Sequence, residues 1–160
     1  SMALMLIASV PVIGLPLACT DYAGAVAWIL DKADGASTTF AVEAANTHVA
    51  AMARSDAAFG ESMRRFDLIV PDGMPLVWAL NAALPAAERL KDRVYGPTLM
   101  LETLKASERR PEFRHFLLGG KESTLANLKT VFAGRFSGVA IAGAYSPPSN
   151  HATRSAPRKP

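Results

Sequence analysis

The chain has 160 residues, 50% of them hydrophobic, which suits one compact domain with a sizeable core. Its 17 basic residues exceed its 14 acidic residues by three, an excess that Arg154, Arg158 and Lys159 account for. The rest of the chain is formally neutral, which argues against a nucleic-acid-binding protein. We expect one α/β domain over residues 1–148 and a basic, disordered tail over residues 149–160.

The apolar runs are short, and none approaches the roughly 20 residues needed to cross a bilayer. Residues 1–14 lack the basic leader of a secretory signal, so we expect a cytoplasmic protein. The single cysteine, Cys19, excludes an intrachain disulfide. No second cysteine or histidine lies near it at metal-ligand spacing, so we expect a buried thiol there.

The first half of the chain alternates strand and helix patterns. Prolines and a glycine interrupt the apolar residues 8–17, which predicts one or two short edge strands. Thr20 and Asp21 then offer N-caps to a helix with apolar residues at helical spacing. Residues 38–44 predict a strand that delivers the chain to Asn46. Helical sequence follows, and a fresh N-cap near Ser55 and Asp56 divides it into two helices.

The second half continues this alternation. Residues 67–71 are typical of a buried parallel strand, and Pro75 suits the first turn of the apolar helix that follows. A polar link then carries Arg93 toward a helix that begins near Pro97 and runs to residue 110. A strand, a helix and a further strand are predicted over residues 114–120, 123–136 and 139–148. The pattern predicts an α/β fold with a largely parallel sheet flanked by helices and a short N-terminal strand or hairpin.

The stretch VPDGMPLVWAL, residues 70–80, places Asp72 and Gly73 between two apolar runs. An Asp-Gly pair is a strong hairpin signal, although the proline and the non-alternating residues after it favour a helix. Three interpretations stay open: a turn, a helix cap, or a functional carboxylate at the carboxyl end of a parallel strand, where such sheets bind ligands. Gly73 would let a ligand approach the backbone closely.

Other candidate residues also fall in loops or at strand ends. Asn46 is either an N-cap or a ligand contact. Arg93 is either a solvent-exposed loop residue or a bidentate grip on phosphate or carboxylate. Gly119 and Gly120 lack the spacing of a dinucleotide or P-loop motif. With Lys121 and a helix N-terminus they suit a diphosphate, or equally a structural tight turn. These residues predict a domain that binds an anionic small molecule.

Several segments, in order and at compatible intervals, resemble the WecG/TagA/CpsF family of bacterial glycosyltransferases. The matching pieces include ANTHVAAMARSDAAF, RRFDLIVPDGMPLVWAL, RVYGPTLM and RHFLLGGKEST. The resemblance implies a Rossmann-like core, no metal or other cofactor, and inverting transfer of a sugar from a UDP donor to a polyprenyl-diphosphate-linked sugar. It implies an N-acetylmannosamine-like, N-acetylmannosaminuronate or hexose sugar, used in cell-surface polysaccharide or teichoic acid synthesis.

The resemblance also implies roles for individual residues. Asp72 matches the family's catalytic aspartate, a general base that removes the proton of the acceptor hydroxyl. Asn46 matches a sugar contact, and Arg93 matches an arginine that stabilises charge on the diphosphate. We expect further substrate contacts at Thr47, Gly73, Gly119, Gly120 and Lys121.

The chain departs from the family pattern in three places. Ala44 stands where the family usually has threonine, and Thr98 stands where aspartate is frequent. Family members continue with further strands and a basic appendage where this chain has residues 149–160. We therefore expect a C-terminally shortened protein that buries exposed sheet surface as a homo-oligomer. It would act in the cytoplasm or peripherally at the inner face of the plasma membrane. The alternative is a catalytically impaired remnant that binds nucleotide sugar or forms oligomers.

Overall fold

The structure is a computed structural model that describes residues 5–35 and 37–148. The expected disordered tail over residues 149–160 lies outside the described residues. The strands are β1 (Ser9–Val12), β2 (Leu15–Ala18), β3 (Val42–Ala45), β4 (Leu68–Pro71), β5 (Arg114–Leu118) and β6 (Ala140–Tyr145). The α-helices are α1 (Tyr22–Ala33), α2 (Thr47–Ser55), α3 (Ala57–Met63), α4 (Met74–Ala82), α5 (Gly96–Ala106) and α6 (Glu122–Arg135). The prediction of an α/β fold is confirmed.

The strands form two sheets. In the larger sheet the order is β1-β2-β4-β3, with an antiparallel β1–β2 hairpin and β4 parallel to both β2 and β3. β5 and β6 form a second, parallel pair. The expected largely parallel, Rossmann-like arrangement with an N-terminal hairpin is therefore confirmed. The expectation of an edge strand was wrong for β2, which lies between β1 and β4. β2 registers with β4 only at Leu17, so the missing N–H of Pro16 costs no bond on that side.

The central strand β4 is buried along its whole length, as expected for a parallel strand covered on both faces. Its successive residues point to opposite faces. Ile69 packs into a first core against α2, α3 and α4. Leu68 and Val70 pack into a second core against α1 and α5. A third core joins α5 and α6 to β5 and β6 around Leu104 and Phe132. Because helices cover both faces of β4, a ligand can reach this strand at the loops that follow its carboxyl end.

Two aspartates start helices as predicted. The Asp21 carboxylate accepts a hydrogen bond from Gly24 N–H (2.8 Å) at the start of α1. The Asp56 N–H donates to Met52 O (2.9 Å) at the end of α2, while its carboxylate accepts from Phe59 N–H (3.0 Å) in α3. One residue therefore divides the alanine-rich stretch into two helices. No helix in the described ranges is long and apolar enough to cross a membrane.

Several boundaries differ from the predictions, and β5 and β6 are shorter than predicted, ending at Leu118 and Tyr145. β3 begins at Val42 rather than at residue 38, because only Val42–Ala45 pair with β4. α5 ends at Ala106, where the hydroxyl of the next residue, buried Ser107, donates to Leu104 O (2.9 Å). Local composition predicts the type of each element here, whereas tertiary pairing decides where the element ends.

Candidate active site

Asp72 directly follows β4 and keeps that strand aligned with β3. Its N–H donates to Ala45 O (2.9 Å). The next residue, Gly73, is the N-cap of α4 and has an extended backbone (φ 171°, ψ 139°), and no side chain caps that helix. The hairpin interpretation and the capping of α4 are therefore both wrong. The Asp72 carboxylate instead accepts, through Oδ2, a hydrogen bond from Gly96 N–H (3.3 Å), the first residue of α5.

Asn46 lies beside Asp72 at the carboxyl edge of the sheet, because Ala45 pairs with Pro71 in the residue before each. The Asn46 side chain is the N-cap of α2 and accepts from Val49 N–H (2.9 Å). The capping interpretation is thus confirmed, while its Nδ2 donates no hydrogen bond within residues 5–35 and 37–148. Both Asn46 and Thr47 are exposed. The amide can therefore cap the helix and still donate to a ligand.

Arg93 lies in the segment that passes the end of β4 on its way to α5. The next residue, Val94, donates its N–H to Pro71 O (2.8 Å). The exposed Arg93 guanidinium lies over the Tyr95 ring, 4.6 Å from its centroid. Tyr95 N–H in turn donates to the Tyr22 hydroxyl (3.0 Å). These bonds tie the Arg93 segment to the strand end that carries Asp72, so Asn46, Asp72 and Arg93 share one edge of the sheet.

Gly119, Gly120 and Lys121 lie at the carboxyl end of β5, in the second sheet. Both glycines have positive φ (104° and 74°), which side chains rarely tolerate. Gly119 N–H donates to Tyr145 O (3.0 Å), and Ser146 Oγ donates to Gly120 O (2.6 Å). No hydrogen bond in the described part of the chain links this corner to Asp72. The tight-turn interpretation is confirmed, and the predicted UDP contacts there stay a prediction.

Glu43 is a charged neighbour of the site that the sequence analysis missed. It lies in β3 and is half-buried. Burial and, second, the negative charge of Asp72 raise the pKa of the Glu43 carboxyl. An acid inside an otherwise apolar strand is an unusual choice, and that was the available signal. The Glu43 carboxyl in β3 is therefore close enough to Asp72 to interact with its charge.

Two small residues, Ala44 in β3 and Gly96 in α5, lie close to Asp72. A Cβ added at Gly96 would lie 3.3 Å from Ala44 Cβ and 3.7 Å from Asp72 Oδ2. Glycine at this position therefore lets the amino end of α5 approach β3 closely, whereas the distance to the carboxylate is that of an ordinary contact. Ala44 was predicted to lack a polar contact of the family pattern, and its side chain packs into the second core.

A larger groove, of about 1120 Å³, lies between α1 and α5. Tyr22, Val26 and Leu30 form much of one wall, and Thr98 and Glu102 belong to the other. None of the predicted site residues lines this groove. We place the candidate site at Asp72 rather than in the groove, because Asp72 and Asn46 directly follow the paired ends of β4 and β3.

No group of three or more His, Cys, Asp or Glu side chains within the described ranges is arranged to hold a metal ion. The expectation of a reaction without metal or other cofactor stays a prediction. Cys19 is only partly buried, contrary to the expectation of a buried thiol. Burial and then the charge of Glu88 raise the pKa of its thiol, which disfavours a reactive thiolate.

Comparison with known proteins gives one finding. The model of the glycosyl transferase WecG/TagA/CpsF family matches residues 10–158, and no curated protein matches the chain. The match spans the central sheet, the Asp72 edge and the second sheet. The chain therefore belongs to the WecG/TagA/CpsF family of glycosyl transferases.

Proposed function

We propose that this domain is an inverting glycosyltransferase that moves a sugar from a UDP donor to a polyprenyl-diphosphate-linked sugar. The observation that carries the proposal is the position of the Asp72 carboxylate at the carboxyl end of β4, hydrogen-bonded by Gly96 N–H at 3.3 Å. Asn46 and Arg93 flank it on adjoining loops. Since a polyprenyl-linked acceptor is held in a membrane, we also propose that the protein acts peripherally at the inner face of the plasma membrane.

Asp72 is the proposed general base. The acceptor hydroxyl oxygen attacks the anomeric carbon of the donor sugar and forms the new C–O bond. The bond between that carbon and the UDP oxygen breaks on the opposite face, and UDP leaves with the electron pair. Asp72 takes the hydroxyl proton. Its Oδ2 is engaged by Gly96 N–H, whereas Oδ1 accepts no hydrogen bond within the described residues and is the oxygen available for the proton.

Two neighbours support the same step. The Arg93 guanidinium would stabilise negative charge that develops on the leaving diphosphate. Asn46 Nδ2, which its capping role leaves available, would donate to a sugar hydroxyl. The Asp72 carboxylate is fixed by a backbone donor rather than by a mobile side chain. This fixed position favours a short, constant distance to the attacking hydroxyl, and position is the main requirement for a general base.

The test is sugar transfer from a panel of UDP-sugars to a lipid-diphosphate-linked sugar, measured for wild type, Asp72→Asn and Glu61→Gln. We expect Asp72→Asn to lose at least about 100-fold in turnover. Asparagine keeps an oxygen that can accept from Gly96 N–H, so the fold should persist. Glu61→Gln changes an exposed carboxylate of α3, whose ion-pair partner among residues 5–35 and 37–148 is Arg65, and should leave turnover unchanged. Equal rates for wild type and Asp72→Asn would exclude Asp72 as the base.

A second candidate function is a nucleotide-sugar-binding, oligomer-forming module without turnover. One face of the β5–β6 sheet favours it, because Phe116, Leu118 and Tyr145 are 60%, 71% and 53% exposed. Parallel sheets are normally covered on both faces, and a second copy of the chain would cover this one. Light scattering should then show an oligomer that Leu118→Ser weakens. A monomer that binds no UDP by calorimetry would argue against this candidate.

A further inference from the structure

Helix α4 has an apolar face that the fold leaves exposed. On its inner face, Leu76 and Leu80 pack into the first core. Its outer face consists of exposed residues at helical spacing: Pro75, Trp78, Ala79 and Ala82. α4 is the one α-helix within residues 5–35 and 37–148 whose sequence contains no charged residue. A helix that is apolar all round is normally buried on every side, so the outer face of α4 indicates an apolar partner.

The β1–β2 hairpin adds an exposed isoleucine beside this helix. Ile13 and Gly14 form the two-residue turn with positive φ (51° and 82°), and Ile13 is 43% exposed. Asparagine or aspartate usually precedes glycine in such a turn, whereas a β-branched residue at positive φ is strained. The preceding residue, Val12, packs in the first core with Leu80, and β1 contacts α4. The exposed, strained Ile13 is therefore a second sign of an apolar contact, next to the first.

We call Ile13 and the outer face of α4 the apolar corner. Residues 5–20 and 73–87, which contain β1, β2 and α4, include no Asp, Glu, Lys or Arg. The link that follows, residues 88–93, has three basic and two acidic side chains. This excess of one positive charge contributes only weakly to attraction by anionic lipid. A partner of the apolar corner is therefore bound mainly by burial of apolar surface.

The free edge of β1 is protected against pairing with a further strand. β1 ends the sheet order, and Pro11 in β1 pairs with Pro16 in β2. Neither proline has an N–H, so this pair is one whose backbone groups point away from the partner strand. Pro11 therefore offers no donor at the outer edge. This argues against addition of a strand from a second copy of the chain, and it leaves the side chains of the apolar corner to make the contact.

We propose that the apolar corner docks into the interfacial region of the membrane that holds the acceptor. The inference rests on the proposed function, since a polyprenyl-linked acceptor lies in a bilayer. Trp78, which is 64% exposed, suits this position because tryptophan combines an apolar ring with an N–H and favours the membrane–water interface. α4 begins at Met74, two residues after Asp72. A bilayer along the outer face of α4 therefore passes beside the Asp72 edge.

The test is sedimentation of the full chain with phosphatidylcholine vesicles, with and without phosphatidylglycerol, at low and high salt. We expect binding under all four conditions and a blue shift of Trp78 fluorescence, because Trp28 is already buried. Ile13→Asn/Trp78→Ser should lower the partition coefficient at least about tenfold. Asparagine suits the turn and Trp78 is exposed, so the fold should persist. The control Val131→Ser removes an exposed apolar side chain from α6 and should change partitioning less than about twofold.

Three results would overturn the proposal. One is a wild type that binds neither kind of vesicle. Another is binding that requires phosphatidylglycerol, disappears at high salt and is unchanged in the double variant, which would assign the contact to basic residues. The third is an oligomer that the double variant dissociates, without vesicle binding, which would assign the apolar corner to a second copy.

Transfer assays separate this proposal from the proposed function. The double variant should transfer sugar to a detergent-solubilised acceptor at the wild-type rate and lose at least about tenfold with the acceptor in vesicles. Vesicle binding by the apolar corner without transfer to either acceptor would remove only the proposed function. Equal transfer by wild type and double variant to the acceptor in vesicles would remove only the membrane contact.

Discussion

Replacing Asn81 with alanine should release the link between α4 and α5, because the Asn81 side chain binds the backbone of Leu90 in that link. Two hydrogen bonds to Leu90, at 2.8 and 2.7 Å, disappear together. At about 1 kcal/mol each they contribute about 2 kcal/mol, and alanine returns up to about 0.7 kcal/mol of helix propensity in α4. We therefore expect a loss of about 1–2 kcal/mol in the free energy of unfolding. A urea titration would show a midpoint lower by roughly 0.5–1.5 M.

The matched control is Asn127→Ala on the exposed face of α6, where the side chain makes no hydrogen bond within the described residues. It should be neutral or slightly stabilising through helix propensity alone. If both asparagine variants unfold at the same urea concentration, the bonds to Leu90 do not hold the link.

Three further predictions concern stability. Glu43→Gln should stabilise the protein at pH 7, because burial and then the Asp72 charge raise the pKa of Glu43. The raised pKa of Glu43 stabilises the folded state fully below the unfolded pKa of about 4.3, and this stabilisation is lost as pH rises through the folded pKa. If Glu43→Gln raised the free energy of unfolding equally at pH 3.5 and pH 7, the prediction would be wrong. Gly60→Ala should destabilise by about 1–3 kcal/mol, since its Cβ would clash with a carbonyl oxygen of α2. A Cβ added at Gly134 would meet no atom within 4 Å, so Gly134→Ala should stabilise the protein by up to about 1 kcal/mol. If urea titrations showed that both glycine variants change the free energy of unfolding in the same direction, the packing argument would be wrong. Burial lowers the pKa of His115. The stabilisation from neutral His115 is therefore complete above the unfolded pKa of about 6.5 and is lost as pH falls through the folded pKa. We expect His115→Gln to reduce the decrease in the free energy of unfolding between pH 7.5 and 5.5.

The type and order of the elements were predictable because each is encoded locally. The Asp56 cap, the apolar run of β4 and the proline at the start of α4 are all signals within a few residues. The position of Asp72 at a strand end was predictable for the same reason. These signals also left open which of three roles the aspartate has, because its partner lies elsewhere in the chain.

The parts that could not be predicted depend on contacts distant in sequence. Asp72 and its donor Gly96 are 24 residues apart, and Tyr22 and Tyr95 are 73 apart. Asn81 gives no local sign that its side-chain amide will bind the backbone of Leu90. Gly119 and Gly120 show the converse: their local pattern predicted a tight turn as one of two interpretations, the structure has that turn, and the contact with UDP stays a prediction.

The bonds at Leu90, Val94 and Gly96 give the α4–α5 link an unusual constraint for a surface loop. Such loops usually accept insertions and deletions with little effect. Here Asn81, Pro71 and Asp72 fix three points along a short stretch of chain. Exposed side chains between those points are free to vary, whereas one added or removed residue would move Leu90 or Val94 out of the core or pull Gly96 from Asp72. In related sequences this link should therefore vary in composition and keep its length.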